Sequence, residues 1–143
     1  MDKITIVCPH CLKTNALPKK ESYLKANCGY CKKSLLDTHP IELKATTFDH
    51  FIANNDIVVV VDFWAPWCGP CKTMAPTFTS VAAHFPLKAR FVKVNTENEQ
   101  SLASTFGIRS IPTLILFKNN KEVDRVSGAL DANSLKNWVN KNL

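Results

Sequence analysis

The sequence predicts an α/β fold, a sheet with helices packed against it, preceded by a small cysteine-rich segment. Three observations carry that expectation. From Ile41 onward, β-branched runs alternate with stretches whose apolar residues recur at helical spacing. All six cysteines fall in C-x-x-C pairs. The 143 residues suffice for one full domain and an appendage.

Composition narrows the class. With 45% hydrophobic and 21% charged residues, the chain reads as an ordinary globular protein. Its net charge of +6 is uneven: residues 1–44 carry eight Lys against four acidic residues, and residues 45–143 carry ten Lys and Arg against eight. A divalent ion held by four thiolates in the front segment would halve the excess there. No basic stripe interleaves with aromatics, so no nucleic-acid partner is expected. No run reaches the ~18 apolar residues of a membrane span, and MDKITIVCPHC lacks the apolar core of a secretory signal. The expectation is a cytoplasmic protein, where paired cysteines point to metal or redox chemistry more than to structural disulfides.

In the front segment, Cys8/Cys11 and Cys28/Cys31 are separated by 16 residues, the spacing of a four-cysteine zinc site. Two residues between ligands let one tight turn offer two sulfurs to one ion, and two such turns complete a tetrahedron. Residues 1–38 are too few to fold on an apolar core alone, and below ~40 residues a structural metal is the usual substitute. One structural zinc on Cys8, Cys11, Cys28 and Cys31 is therefore expected, in a ribbon-like domain, with no organic cofactor. Two alternatives stand beside it: the front pairs as disulfides or further redox centres, and His10 as a ligand in place of one cysteine. With four thiolates to close the shell, His10 is expected outside it.

Asp37-Thr38-His39-Pro40 reads as a loop and divides the chain into domains of residues 1–38 and 39–143. The second opens with a short strand at Ile41–Lys44 and a helix near Phe48–Asn54, capped by Thr46 or Thr47. Ile57–Trp64 is a continuous apolar run rich in β-branched residues, as expected of a central strand buried on both faces. A helix follows at Pro70–Phe85, with a kink expected at Pro76. Then come a strand at Ala89–Asn95, a helix at Gln100–Phe106 and strands at Thr113–Lys118 and Glu122–Ser127. Asn119-Asn120 joins that last pair, because Asn tolerates positive φ in a hairpin turn. A helix at Ala132–Asn142, capped by Asp131, ends the chain.

The third cysteine pair sits where strand turns into helix. Cys68 falls at the helix N-terminus, where unpaired N–H groups and the helix dipole stabilise a thiolate, the form that attacks a disulfide. Gly69-Pro70 tightens the turn and opens the helix with a residue lacking an N–H. Cys71, one turn on, is placed to attack the resulting mixed disulfide. A third metal pair is the alternative, and no partner pair is left to complete it.

Asp62 interrupts the apolar strand six residues before Cys68. Buried there, it would have a raised pKa suited to moving protons, with Lys93 on a neighbouring strand as its partner; otherwise it faces water at a strand end. Pro112, opening a strand, is a candidate for a cis peptide bond. Trp64 reads as core filling, whereas Trp67 lines the approach to the reactive thiol.

These residues carry a resemblance. Trp67-Cys68-Gly69-Pro70-Cys71-Lys72, Asp62 before it, Phe106-Gly107-Ile108-Arg109-Ser110-Ile111-Pro112-Thr113 after it and Gly128-Ala129 near the end resemble the thioredoxin family from about Ile41 to Leu143. With the front pairs added, the whole chain looks like the family's zinc-binding bacterial thioredoxin 2 type. The resemblance implies a central mixed β-sheet flanked by helices and a cis Pro112 near the cysteines. It also implies an apolar face of Trp67, Ile111, Pro112, Gly128 and Ala129, beside Gly69 and Pro70, that docks substrate proteins. Asp62 would be the buried proton-transfer residue near Lys93, and thioredoxin reductase with NADPH would regenerate the dithiol. Asn120 departs from the glycine many relatives carry in this hairpin, and since Asn accepts the same geometry little is put in doubt.

The function so implied is protein-disulfide reduction by a monomer: Cys68 attacks, Cys71 resolves and Asp62 handles the proton. A rival reading makes the front segment an interaction or redox-sensing module with the second domain as its docking body. An oxidase or isomerase is a third, disfavoured by the Gly-Pro dipeptide.

Overall fold

A computed structural model describes residues 2–143, with seven strands and four helices. The front segment holds an antiparallel hairpin of β1 (Lys3–Val7) and β2 (Thr14–Pro18), with Val7 opposite Thr14. Strand β2, TNALP, has too few apolar residues to announce itself and forms because β1 offers it a template.

The rest is a five-stranded sheet in the order β3-β5-β4-β6-β7. Its members are β3 (Ile41–Glu42), β4 (Val58–Trp64), β5 (Ala89–Asn95), β6 (Thr113–Lys118) and β7 (Lys121–Ser127). Strand β4 is central, parallel to β5 and antiparallel to β6, so the sheet is mixed. Helices α1 (Ala45–Ala53) and α3 (Gln100–Thr105) cover one face, α2 (Gly69–Ala82) and α4 (Ala132–Lys141) the other.

The apolar run of β4 is divided between two cores by its period of two. Val58 and Val60 pack under α2 and α4 with Met74, Phe78, Leu135 and Val139. Val59, Val61 and Phe63 pack under α1 and α3 with Phe48, Phe51 and Leu102.

Several expectations are corrected. Helix α1 begins three residues early, at Ala45; Lys44 is its N-cap, and Thr47 serves from inside, its hydroxyl accepting the Lys44 N–H at 3.2 Å. Strand β3 is two residues long because the helix claims Lys44 as its cap. Helix α2 runs through Pro76 and stops at Ala82, beyond which a turn carries Phe85 into the core. Asn119 and Asn120 do take positive φ, 52° and 65°, between β6 and β7, and the Asp131 carboxylate caps α4 on the Ser134 N–H at 2.8 Å.

The front segment is stitched to the sheet. Val7 belongs to the same core as Phe51 and Val59, and Ile6, Cys8, Cys28 and Leu35 close over Leu87. The Asn55 side chain accepts the Val7 N–H at 2.9 Å and His50 Nε2 lies 2.7 Å from the Leu12 carbonyl. No described helix is long and apolar enough to cross a membrane.

Candidate functional site

Cys68 and Cys71 form a disulfide, their Cα atoms 5.2 Å apart. Cys68 is the N-cap of α2, and its Sγ accepts the Cys71 backbone N–H at 3.2 Å. A sulfur so placed faces the unsatisfied N–H groups of the first turn, which favour negative charge on it. Cys68 is 5% exposed and Cys71 is buried, while Trp67 beside them is 68% exposed. The Ile111–Pro112 peptide bond is cis, and the Ile111 carbonyl oxygen lies 3.7 Å from Cys68 Sγ. The Pro112 carbonyl in turn accepts the Gly128 N–H at 2.8 Å. Gly128 has φ +97°, a conformation that favours glycine, and Gly128, Ala129, Gly69 and Pro70 are all exposed. Ile111 thus packs against the cysteine pair, and Gly128 is tied to the same loop through the Pro112 carbonyl.

A row of charged residues crosses the sheet from β4 through β5 to β3. Asp62 is fully buried, and by the alternation of β4 it shares the face of Val58 and Val60, under α2. It does not sit at a water-facing strand end. In register across the sheet, Asp62 is opposite Lys93 on β5, and Lys93 opposite Glu42 on β3. Neither Asp62 carboxyl oxygen has a hydrogen-bond partner among the described residues. Burial pushes its pKa up to about 7, Lys93 pulling it back and Glu42 adding to the rise.

Trp64 is not plain core filling. Its indole N–H donates to both Glu42 carboxylate oxygens, at 2.9 and 3.0 Å, and the Lys93 ammonium sits over its ring, 4.4 Å from the centroid. The sequence reading missed Glu42, because nothing local in Ile41-Glu42-Leu43 indicates which strand it will lie beside.

The four front sulfurs lie within 4.8 Å of one another and could hold a metal ion. Cys8 and Cys31 Sγ are 3.7 Å apart, Cys11 and Cys28 Sγ 3.6 Å. A tetrahedral ion with metal–sulfur bonds of ~2.3 Å needs edges of ~3.8 Å, so the donor set fits. The two turns are near copies. In each, the first cysteine's N–H bonds the carbonyl five residues on at 2.9 Å, and the residue four on returns a bond to its carbonyl. Leu12 and Lys32 occupy matching positive-φ positions, 65° and 67°. Backbone N–H groups of His10 and Tyr30 donate to Cys8 and Cys28 Sγ at 3.4 Å. Burial raises the Cys8 thiol; at Cys28 burial is outweighed by N–H donors from Cys31, Asn15 and Tyr30, which lower it. His10 stands outside the cluster, paired with Asp37 at 3.1 Å.

The family profile described as Thioredoxin matches residues 39–141. Thioredoxin C-3 of Corynebacterium nephridii is 44% identical over 138 residues, 96% of this chain and 94% of that one, a match that reaches into the front segment. A thioredoxin of Haemophilus influenzae is 41% identical over 103 residues, 72% of this chain and 96% of its own. Among solved structures, the Malassezia sympodialis thioredoxin superposes with a TM-score of 0.67 at 34% identity, covering 73% of this chain and 91% of that one. A mutant thioredoxin from Halobacterium salinarum gives 0.67 at 35% identity, covering 72% and 89%.

Proposed function

This chain belongs to the thioredoxin family and is a thiol-disulfide oxidoreductase, and on that premise we propose that it reduces protein disulfides with Cys68 as the attacking thiolate and Cys71 as the resolving thiol. The observation that carries the reading is the Cys68–Cys71 disulfide at the N-terminus of α2, with the Cys71 N–H on Cys68 Sγ.

In the cycle, the Cys68 thiolate forms a bond to one substrate sulfur and expels the other as a thiolate, giving a mixed disulfide. Cys71 loses its proton and attacks Cys68 Sγ; the Cys68–substrate bond breaks, and the pair closes as the substrate leaves as a dithiol. Asp62, with a pKa of about 7, is balanced between accepting and returning that proton near neutrality. Lys93 sets the local charge. Trp67, Ile111, Pro112, Gly128 and Ala129, with Gly69 and Pro70 at the turn, form the surface on which an extended substrate segment lies. Thioredoxin reductase, supplied by NADPH, returns the disulfide to the dithiol.

The four-cysteine group holds one structural zinc, a reading supported by its sulfur spacings and paired turns. We place the protein in the cytoplasm as a monomer. The deciding experiment is insulin reduction by the wild type and by Cys68→Ser: turnover that survives the substitution would sink the mechanism.

A further inference from the structure

Strands β3, β5 and β4 bring three ionisable side chains into one row, with Glu42 on β3 the outermost. We propose that Glu42 is a positioning residue for the disulfide exchange: it fixes the indole of Trp64, whose face holds the Lys93 ammonium away from Asp62, so that the Asp62 carboxyl keeps no ion-pair partner. The proposal rests on the reductase reading, in which Asp62 moves the proton.

The geometry gives each link. Both Glu42 oxygens hold the indole N–H, so the ring is fixed at its polar edge. Lys93 Nζ lies 4.4 Å from the ring centroid, on its negative face. Lys93 is opposite Asp62 on β5, yet among the described residues it forms no ion pair with either carboxylate within 4 Å, and Asp62 is left with two unpartnered oxygens. A flexible four-carbon ammonium beside a buried carboxylate would ordinarily turn to it; the indole supplies a competing seat. Trp64 also packs against Ala65, Cys68 and Cys71, so the ring that Glu42 fixes is itself a wall of the disulfide site.

The remaining groups around Asp62 do not supply a substitute. β6 and β7 set Leu114 and Val126 in the same row, and α4 presents Leu135 and Val139 to that face. From α2, Met74 and Phe78 pack on the same face. Glu42 itself faces Glu99 at the start of α3, whose Oε1 already accepts the Ala45 N–H at 2.8 Å.

Loss of Glu42 acts on Asp62 twice in one direction, by removing a like charge and by freeing Lys93 to pair with it. The test follows the Asp62 carboxyl by NMR pH titration in the oxidised, zinc-loaded, full-length protein, where Cys68 and Cys71 carry no titrating thiol. Glu42→Ala should lower the Asp62 midpoint by roughly one pH unit. Glu42→Gln, which keeps an acceptor for the indole N–H, should lower it by clearly less. Lys93→Met added to Glu42→Ala should bring it back up. Equal shifts in the Gln and Ala variants, or no shift in either, would overturn the proposal. Should Glu42→Ala not fold, Trp64→Phe replaces it: the midpoint should fall there too, and an unmoved one overturns the proposal. The titration needs no turnover, so a wild type inactive on insulin would remove the reductase reading and leave the Glu42 linkage measurable. An unmoved midpoint would remove the linkage and leave the reductase intact.

Discussion

The guanidinium of Arg90, 4% exposed on β5, donates a 2.9 Å hydrogen bond to the carbonyl of Leu35 in the front segment. A second donation at 2.9 Å reaches the Asp37 carbonyl. A buried cation on the sheet thus satisfies the backbone just where the chain leaves the cysteine cluster.

Arg90→Met keeps the apolar stem but leaves two carbonyls unpaired, a loss of roughly 2–5 kcal/mol in stability. Urea unfolding of the zinc-loaded protein measures it. A midpoint equal to the wild type would show that the clamp contributes nothing.

Asp62 links stability to pH. Its folded pKa of about 7 lies above the ordinary 3.8, so the folded chain holds this proton more tightly than the unfolded one. Stability from this group is full below pH ~4, is lost as the pH rises towards 7 and levels off above it. Asp62→Asn should therefore gain on the wild type as the pH rises, by up to about 4 kcal/mol at pH 8 on the arithmetic of ~1.4 kcal/mol per unit. Its reduction rate should fall at the same time. Urea titrations at pH 5 and pH 8 separate the two proteins; a gain independent of pH would contradict the assignment.

In the proposed mechanism, Cys71→Ser leaves the attacking thiol without its resolving partner. The variant should accumulate mixed disulfides with substrate proteins through Cys68, visible as adducts on non-reducing gels and released by a small thiol. Cys68→Ser should give none.

Metal content is expected at one zinc per chain, measured by elemental analysis on reduced protein. Stripping the ion with a chelator should free four thiols and loosen the cluster of Ile6, Leu35 and Leu87, lowering the thermal midpoint. An unchanged midpoint after complete removal would mean that the front segment holds by its sheet contacts alone.

Trp67 is 68% exposed, so its loss should leave stability within about 0.5 kcal/mol. A docking role implies instead a rise in KM for insulin of roughly 5–30-fold on Trp67→Ala, the effect of truncating an aromatic anchor worth about 1–2 kcal/mol.

The elements and the placement of the cysteines were legible at short range. The β4 run, the Asn119-Asn120 turn and the Asp131 cap each depend on a few neighbouring residues, and each stands where the sequence put it. Strand β2 was not legible, because its pattern takes on meaning only against β1. The start of α1 was misread for a related reason: Thr46 and Thr47 are good caps in isolation, but Thr47 serves from within the first turn, on the Lys44 N–H. Asp62 and Lys93 could be paired from the sequence as members of adjoining strands, whereas Glu42 could not. Trp64 looked like filling because an indole's partner is invisible until the strand beside it is known.

The sequence by itself determined the reactive units: a cysteine at a helix start with its partner one turn on, two metal-spaced knuckles and a strand apolar on both faces. Those follow from residue type at separations of a few positions, where backbone geometry leaves little choice. Only the tertiary structure decided the row from Glu42 through Lys93 to Asp62, the seat of Lys93 on Trp64, and the clamp of Arg90 on Leu35. These join residues 22 to 55 positions apart, and what brings them together is the burial of both faces of β4, which fixes strand order and register and thereby which charges become neighbours.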